Sequence, residues 1–337
     1  MKPGPQSTSG RRTEPVRVSP GLFLAAARRL VSQSNVDVES AARRLVEGAG
    51  RHEIDLGMAY ATLAPGCPAD APIARQACLA VRGSGRTAML FLSEPADSLG
   101  SERDQAEEAR ACVEAVCGML RAEHAHEVTL AQALPEPEEA WAVGVLHSAG
   151  FIDVGTLRYM RRERAGRVAA PSEVGPWPDG VTVLRVDQLS ESQGDTDSRL
   201  LRAMDRTYVE TRDCPELCGL RETADILDSH RHTGQYDPSL WWLVLHNNSP
   251  AGCVLLNRCP EHRTVELVYL GLGPELRGKG LSKPLLSMGI ARARQGNPSW
   301  SVTCAVDERN AAAIRLYESL GFEPYGRRRA LVRDLAR

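Results

Sequence analysis

Residues 264–296 constrain this chain more than any other stretch. TVELVYLGL (264–272) has the β-branched, aliphatic character of a strand. It runs straight into GPELRGKGLSKPLL, a glycine-rich basic turn that opens a helix. In a strand–turn–helix of this kind, backbone N–H groups converge beyond the strand end, and the helix dipole adds partial positive charge there. Gly278 and Gly280 let the backbone approach a ligand closely, and Arg277 and Lys279 add formal charge. Such a place suits a phosphate or pyrophosphate. Neither GxxxxGK[ST] nor GxGxxG occurs there, so two common phosphate-binding turns are excluded.

The surrounding segments give the frame. VTVLRV (181–186) reads as a strand, and 197–211 and 223–234 as helices. LWWLVLHNN and SPAGCVLLN make a hairpin; SWSVTCAV is a strand, NAAAIRLYESLGF a helix and RRALVRDL a last strand. The order is β-α-α-β-β-β-α-β-α-β. The first half repeats it more faintly, with helices at 20–31 and 38–48, a hairpin at 77–95, a long amphipathic helix at 101–124, and matched endings LHSAGF (146–151) and YESLGF (317–322). Two copies of one fold in tandem is the economical reading. The predicted class is α/β, in the mixed-sheet α+β sense: two domains, each a twisted mixed β-sheet flanked by helices. The expected boundaries are a flexible tail at 1–15, a first domain at 16–165, a Pro- and Gly-rich linker at 166–179, and a second domain at 180–337.

Composition narrows the partners. A length of 337 residues accommodates two domains of roughly 150 residues each. The net charge of -2 disfavours tracking a nucleic-acid backbone. No run approaches the ~18 apolar residues of a membrane span. Nine cysteines, an odd number, fit reduced thiols better than a disulfide framework, so the expected location is the cytoplasm. Cys214/Cys218 and Cys253/Cys259 fit structural zinc spacings poorly, and no metal is expected. His230 and His232 read as surface residues; of Trp241 and Trp242, one is expected in the core and the other on a groove.

Two blocks then carry a resemblance. Arg277–Ser282 resembles the Q/R-x-x-G-x-G/A signature of the GNAT superfamily of acyl-CoA-dependent N-acetyltransferases, with Ser282 where Gly or Ala is usual. Asn310, Ala313, Leu316, Tyr317, Gly321 and Phe322 are similar to its second block, N-x-x-A-x-x-L-Y-x-x-x-G-F. The tandem arrangement, VELVYLGLGP and DERNAAAIRLYESLGFEPY together resemble the mycothiol synthase family within it.

The resemblance implies acetyl-CoA as co-substrate. The amides of Arg277, Gly278, Lys279, Gly280, Leu281 and Ser282 would hold its pyrophosphate. The strand edge near Leu270 and Leu272 would pair with the pantetheine, and Asn310 would contact it from the opposite wall. Tyr317 would be the acid that protonates the leaving thiolate, and Glu266 the base that frees the attacking amine. Strict alternation puts Glu266, Val268 and Leu270 on one face of their strand and Leu267, Tyr269 and Gly271 on the other. The first half has no RxxGxG; an acidic run, Asp97 to Glu108, stands in its place, and Leu146 replaces the tyrosine. It reads as a copy that has lost its cofactor site.

The expected function is acetyl transfer from acetyl-CoA to a primary amine of a small molecule, at one site in the second half, by a monomer or homodimer. The alternatives are a non-catalytic acyl-CoA-binding or regulatory protein on the same fold, or an enzyme acting on a protein or peptide amine. The acceptor should be read by 212–222, which carries Arg221, and by 323–331. The second half alone, from residue 170, is expected to keep cofactor binding but to lose solubility or acceptor turnover.

Overall fold

The computed structural model describes residues 14–32, 37–68, 70–163, 176–189 and 192–336. Most of the expected tail and of the expected linker lies outside them. The first half runs β1 (Val16–Arg17), α1 (Phe23–Leu30), α2 (Val38–Gly48), β2 (Ala59–Leu63), β3 (Ala74–Gly83), β4 (Thr87–Leu92), α3 (Glu102–Glu123), β5 (Leu130–Ala133), α4 (Ala140–Ser148) and β6 (Ile152–Arg162). The second runs β7 (Val181–Arg185), α5 (Gln193–Tyr208), α6 (Thr223–His232), β8 (Trp241–His246), β9 (Ser249–Cys259), β10 (Thr264–Leu272), α7 (Ser282–Gly296), β11 (Ser301–Asp307), α8 (Ala311–Ser319) and β12 (Glu323–Asp334). The grammar expected from the sequence is present in both halves. Local chemistry sets the starts: Ser101 caps α3, Ser192 caps α5, and Asn310 caps α8 through the Ala313 amide.

The two halves share one 12-stranded sheet, ordered β1-β2-β3-β4-β5-β12-β6-β11-β10-β9-β8-β7. Each half gives its last strand to the other. β12 pairs with β5 (Leu331↔Ala133), β6 pairs with β11 (Val302↔Arg162), and β6 and β12 pair antiparallel at the centre. Among the described residues only β1 and β7 are left as edges, which removes two long unpaired strand edges from the middle of the molecule.

The cores follow the exchange. Met160 of β6 is fully buried among second-half residues such as Leu256 and Val302, and Leu331 of β12 among first-half residues such as Val113 and Leu146. Both Trp241 and Trp242 are buried in the second core, so neither lines a groove. His230 is turned inward against Tyr269, ring centroids 5.4 Å apart, and burial pushes its pKa down to about 4, so it is not the surface residue expected.

The exchange also gives a physical reason for the second half alone to lose solubility. Residues 176–337 alone would lack β6, leaving β11 and β12 without their shared neighbour and Met160 absent from the core. That fragment is expected to be insoluble or to melt without a cooperative transition, whereas the full chain unfolds as one unit. Circular dichroism melting of both proteins checks this; a cooperative, soluble fragment would contradict it.

Candidate active site

The parallel pair β10–β11 is joined only at Thr264↔Ser301, Val265↔Val302 and Glu266↔Thr303. Beyond that point β10 stays paired with β9 as far as Leu272, while β11 diverges. A wedge opens between the two strands, and Leu267–Leu272 face it with an edge that β11 leaves unpaired. The Leu272 carbonyl, however, accepts from Arg277 Nε at 2.9 Å.

A β-bulge at Val268 breaks the alternation read from the sequence. Leu267 lies opposite Leu256, but Tyr269 lies opposite Leu255. Glu266, Tyr269 and Gly271 therefore share the face of Asn257, Leu255 and Cys253, under α5 and α6, and Leu270 moves to the other face. Tyr269 there bonds Thr207 of α5.

Glu266 accepts a hydrogen bond from Thr303, its cross-strand partner. Burial raises its pKa above the ordinary carboxylate value, and the Thr303 bond offsets this only in part. Tyr317 is 6% exposed, with Phe322 packed against it at 5.6 Å. Burial pushes its phenol well above the usual value, with Cys304 and Asp213 adding to the rise. Its hydroxyl has no hydrogen-bond partner among the described residues.

The glycine-rich turn divides its labour. The Arg277 guanidinium donates to the carbonyls of Leu272, Glu210 and Thr207, so it staples the turn to β10 and the end of α5 and is not aimed at a phosphate. Leu281 is buried and anchors the turn to the core. Gly278 and Gly280 sit at φ 73 and 74, where side chains are strained. The amides of Gly278, Lys279, Gly280, Leu281 and Ser282 have no acceptor among the described residues, and Lys279 is exposed. α7 starts with no side-chain cap and no acid in its first turn. Free amides at an uncapped helix start fit an anion of the pyrophosphate kind.

The first half has the same wedge, joined at Thr87↔Leu130, Ala88↔Ala131 and Met89↔Gln132, but its turn is closed. The Gln105 side chain donates to the carbonyls of Ala96 and Gly100 and accepts from the Ala96 amide. Arg75 donates to the Leu99 carbonyl at 2.6 Å. Ser101 caps α3, whose first turn holds Glu102 and Asp104. Where α7 offers amides, α3 offers carboxylates.

A second carboxyl, missed from the sequence, reaches the same region from the loop after α5. Asp213 accepts from the Asp307 amide at 2.9 Å, and Asp307 accepts from the Cys214 amide at 3.0 Å. Burial would raise the Asp307 pKa, but bonds from Arg309 and from the Cys214 amide outweigh it and hold it low. The Asp213 carboxyl is open to solvent on one side yet crowded by protein; desolvation, then the charge of Asp307, raises its pKa, and Asn310 counters this. Asn310, expected on the cofactor, thus spends its side chain on α8 and Asp213. The only signal for Asp213 was an acid in a loop of mixed character.

On the Glu266 face, a groove of about 1120 Å³ runs across β6 and β12, lined by Glu136, Glu138, Tyr159, Glu308, Tyr325 and Arg328 among others. Tyr159 and Tyr325 pack edge to face at 6.1 Å, and Glu266 adds to the burial that raises both phenols. The groove is made by both halves because their last strands are exchanged.

A wedge-opened mixed sheet with an uncapped helix start beside it is the arrangement the GNAT resemblance implied. Residues 204–322 match the acetyltransferase (GNAT) family. Among curated relatives, a mycothiol acetyltransferase from Thermomonospora curvata is 29% identical over 268 residues, 76% of this chain and 85% of the relative. Another from Salinispora tropica is 32% identical over 201 residues, 56% and 61% of the two chains. A GCN5-related N-acetyltransferase from Sphaerobacter thermophilus shares the fold, with a TM-score of 0.57 at 16% identity and 96% of both chains covered. Among the described residues no helix is long and apolar enough to cross a membrane, and no cluster of metal-ligating side chains is formed.

Proposed function

We propose that this chain transfers an acetyl group from acetyl-CoA to a primary amine of a small polar molecule, at one site in the second half. The observation that carries the reading is the contrast between the two helix starts: α7 leaves its amides free, and α3 is capped and acidic. The free amides of Gly278–Ser282 would take the pyrophosphate, and the open edge of β10 near Leu270 and the Leu272 amide would take the pantetheine.

With the thioester in the wedge, the amine attacks its carbonyl carbon. Glu266 accepts the amine proton, directly or through a water, and its raised pKa keeps it basic enough to do so near neutral pH. The tetrahedral intermediate collapses, the C–S bond breaks, and Tyr317 gives its proton to the leaving sulfur. Its phenol stays protonated at any working pH, as that role requires. Since several relatives are named mycothiol acetyltransferases, an acceptor of mycothiol type is the first to try. The groove beside Glu266 supports a polar acceptor, because it presents Glu136, Glu138, Glu308 and three arginines.

The test is incubation with acetyl-CoA and a panel of small amines and peptides, following thiol release and product mass. Release with no small amine, while acetyl-CoA still binds, would end this reading; acetylation confined to peptides would move the acceptor to the macromolecular class.

Glu266→Gln gives a sharper result. The wild-type rate should rise with pH through a limb above the ordinary carboxylate range, and that limb should vanish in the variant. Stability moves the other way. The folded-state pKa of Glu266 is raised, so its contribution to stability is lost as pH climbs from the unfolded value through the folded one. Above that window Glu266→Gln is expected to melt at or above the wild-type temperature while turning over more slowly. An unmoved acidic limb would assign the base to another group.

A further inference from the structure

The first half keeps its fold but closes its own phosphate turn, which leaves open what it does for the second. Its β3–β4 hairpin ends in Ser84, Gly85 and Arg86, with Gly85 and Arg86 in the left-handed region at φ 66 and 58. This tip reaches across to α6. The Gly85 amide donates to Asp228 at 2.8 Å, and the Gly85 carbonyl accepts from Arg221 at 2.9 Å. Ser229 donates to the Ser84 carbonyl at 2.9 Å. The same Arg221 nitrogen also donates to the Asp225 carbonyl and to Ser229, so one guanidinium ties hairpin, loop and helix together. Arg221 is thereby occupied and is not the acceptor ligand its place in 212–222 suggested. A Cβ on Gly85 would overlap the Asp225 carbonyl, the Ser229 hydroxyl and Arg221 itself. The corresponding β9–β10 turn, Pro260–His262, makes no hydrogen bond to the first half among the described residues.

The rest of the loop leans the same way. Leu217 and Leu220 pack against a cluster of Leu130 and Val154 from the first half and Ala330 and Val332 of β12, the strand inserted between β5 and β6. Arg309 joins Glu216 to the Val154 carbonyl. At its other end the loop presents Asp213 and Cys214 to Asp307, at the mouth of the wedge. It is therefore clamped to the first half along one flank and borders the site at the other.

We propose that the first half serves as the positioning frame for the acceptor loop 212–222 and α6, with Gly85, Asp228 and Arg221 as the clamp. The acceptor part of this rests on the acetyltransferase reading; the clamp itself does not. A loop held in place before the acceptor arrives spares the ordering entropy that binding would otherwise cost, so the clamp acts on acceptor affinity. Glu266, Tyr317 and the amides of 278–282 lie on other elements, so chemistry and acetyl-CoA binding are left alone.

Full-length Gly85→Ala, Asp228→Ala and Asp228→Asn test this, because Asn keeps an oxygen for the Gly85 amide. Hydrogen exchange over 212–232 should speed up by about tenfold or more in Gly85→Ala, the scale of losing one or two hydrogen bonds. The KM for the best amine of the panel should rise by about the same factor, with kcat within about twofold and acetyl-CoA affinity unchanged. Asp228→Ala should follow at smaller amplitude, and Asp228→Asn should return to wild type. Wild-type exchange rates and KM in folded Gly85→Ala would overturn the proposal. If the wild type acetylates no amine, that result tells against the acetyltransferase reading, and the exchange rates still decide the clamp.

Discussion

Tyr317→Phe is expected to keep acetyl-CoA affinity and lower kcat by roughly 10²–10⁴, the range of a lost general acid. The side chain is buried between Phe322 and the end of the wedge, and Phe fills the same space, so the core should stay intact. The hydroxyl makes no bond to the protein among the described residues, so removing it leaves no buried partner unsatisfied. A thermal midpoint close to wild type should therefore accompany the kinetic loss. That pairing separates a catalytic hydroxyl from a packing ring. Equal turnover in the variant, with chemistry established as the slow step, would leave Tyr317 as a core residue only.

Gly280→Asp is expected to weaken acetyl-CoA binding on the order of 10²-fold or more, through backbone strain and a carboxylate set against a diphosphate. At φ 74 any side chain is strained, yet a Cβ there meets nothing within 4 Å, so the cost falls on the turn and not on the core. The wild type should bind one acetyl-CoA per chain, and the variant almost none. The closed turn of the first half, with Gln105 filling it and Ser101 capping α3, offers no second anion site. Calorimetric titration measures both quantities at once. Two sites per chain, one of them surviving in Gly280→Asp, would make the first half a cofactor site in its own right.

Much of this protein follows from local patterns alone. The strand at 264–272 has the bounds its composition predicts, and the basic glycine turn precedes a helix as its spacing demands. Asn310 caps the helix that carries Tyr317, because a short polar side chain before an apolar run does so in any context. The capped, acidic start of α3 is legible as well, and an acidic first turn disfavours an anion wherever it is placed.

Other features depend on contacts distant in sequence. The bulge at Val268, which puts Tyr269 on the face of Glu266, arises from pairing with β9, and TVELVYLGL by itself carries only a period of two. Arg277 looked like a phosphate ligand because nothing local reveals the carbonyls of Thr207 and Glu210 that claim it. Asp213 acquires its raised pKa chiefly from burial, with the charge of Asp307 on β11 adding to it, and neither is visible in the loop's own sequence. The exchange of β6 and β12 is the largest of these. Each strand's own sequence is satisfied by any antiparallel neighbour of matching pattern. Which neighbour it takes is decided when both halves bury their long central strands together, leaving β1 and β7 as the edges of one sheet.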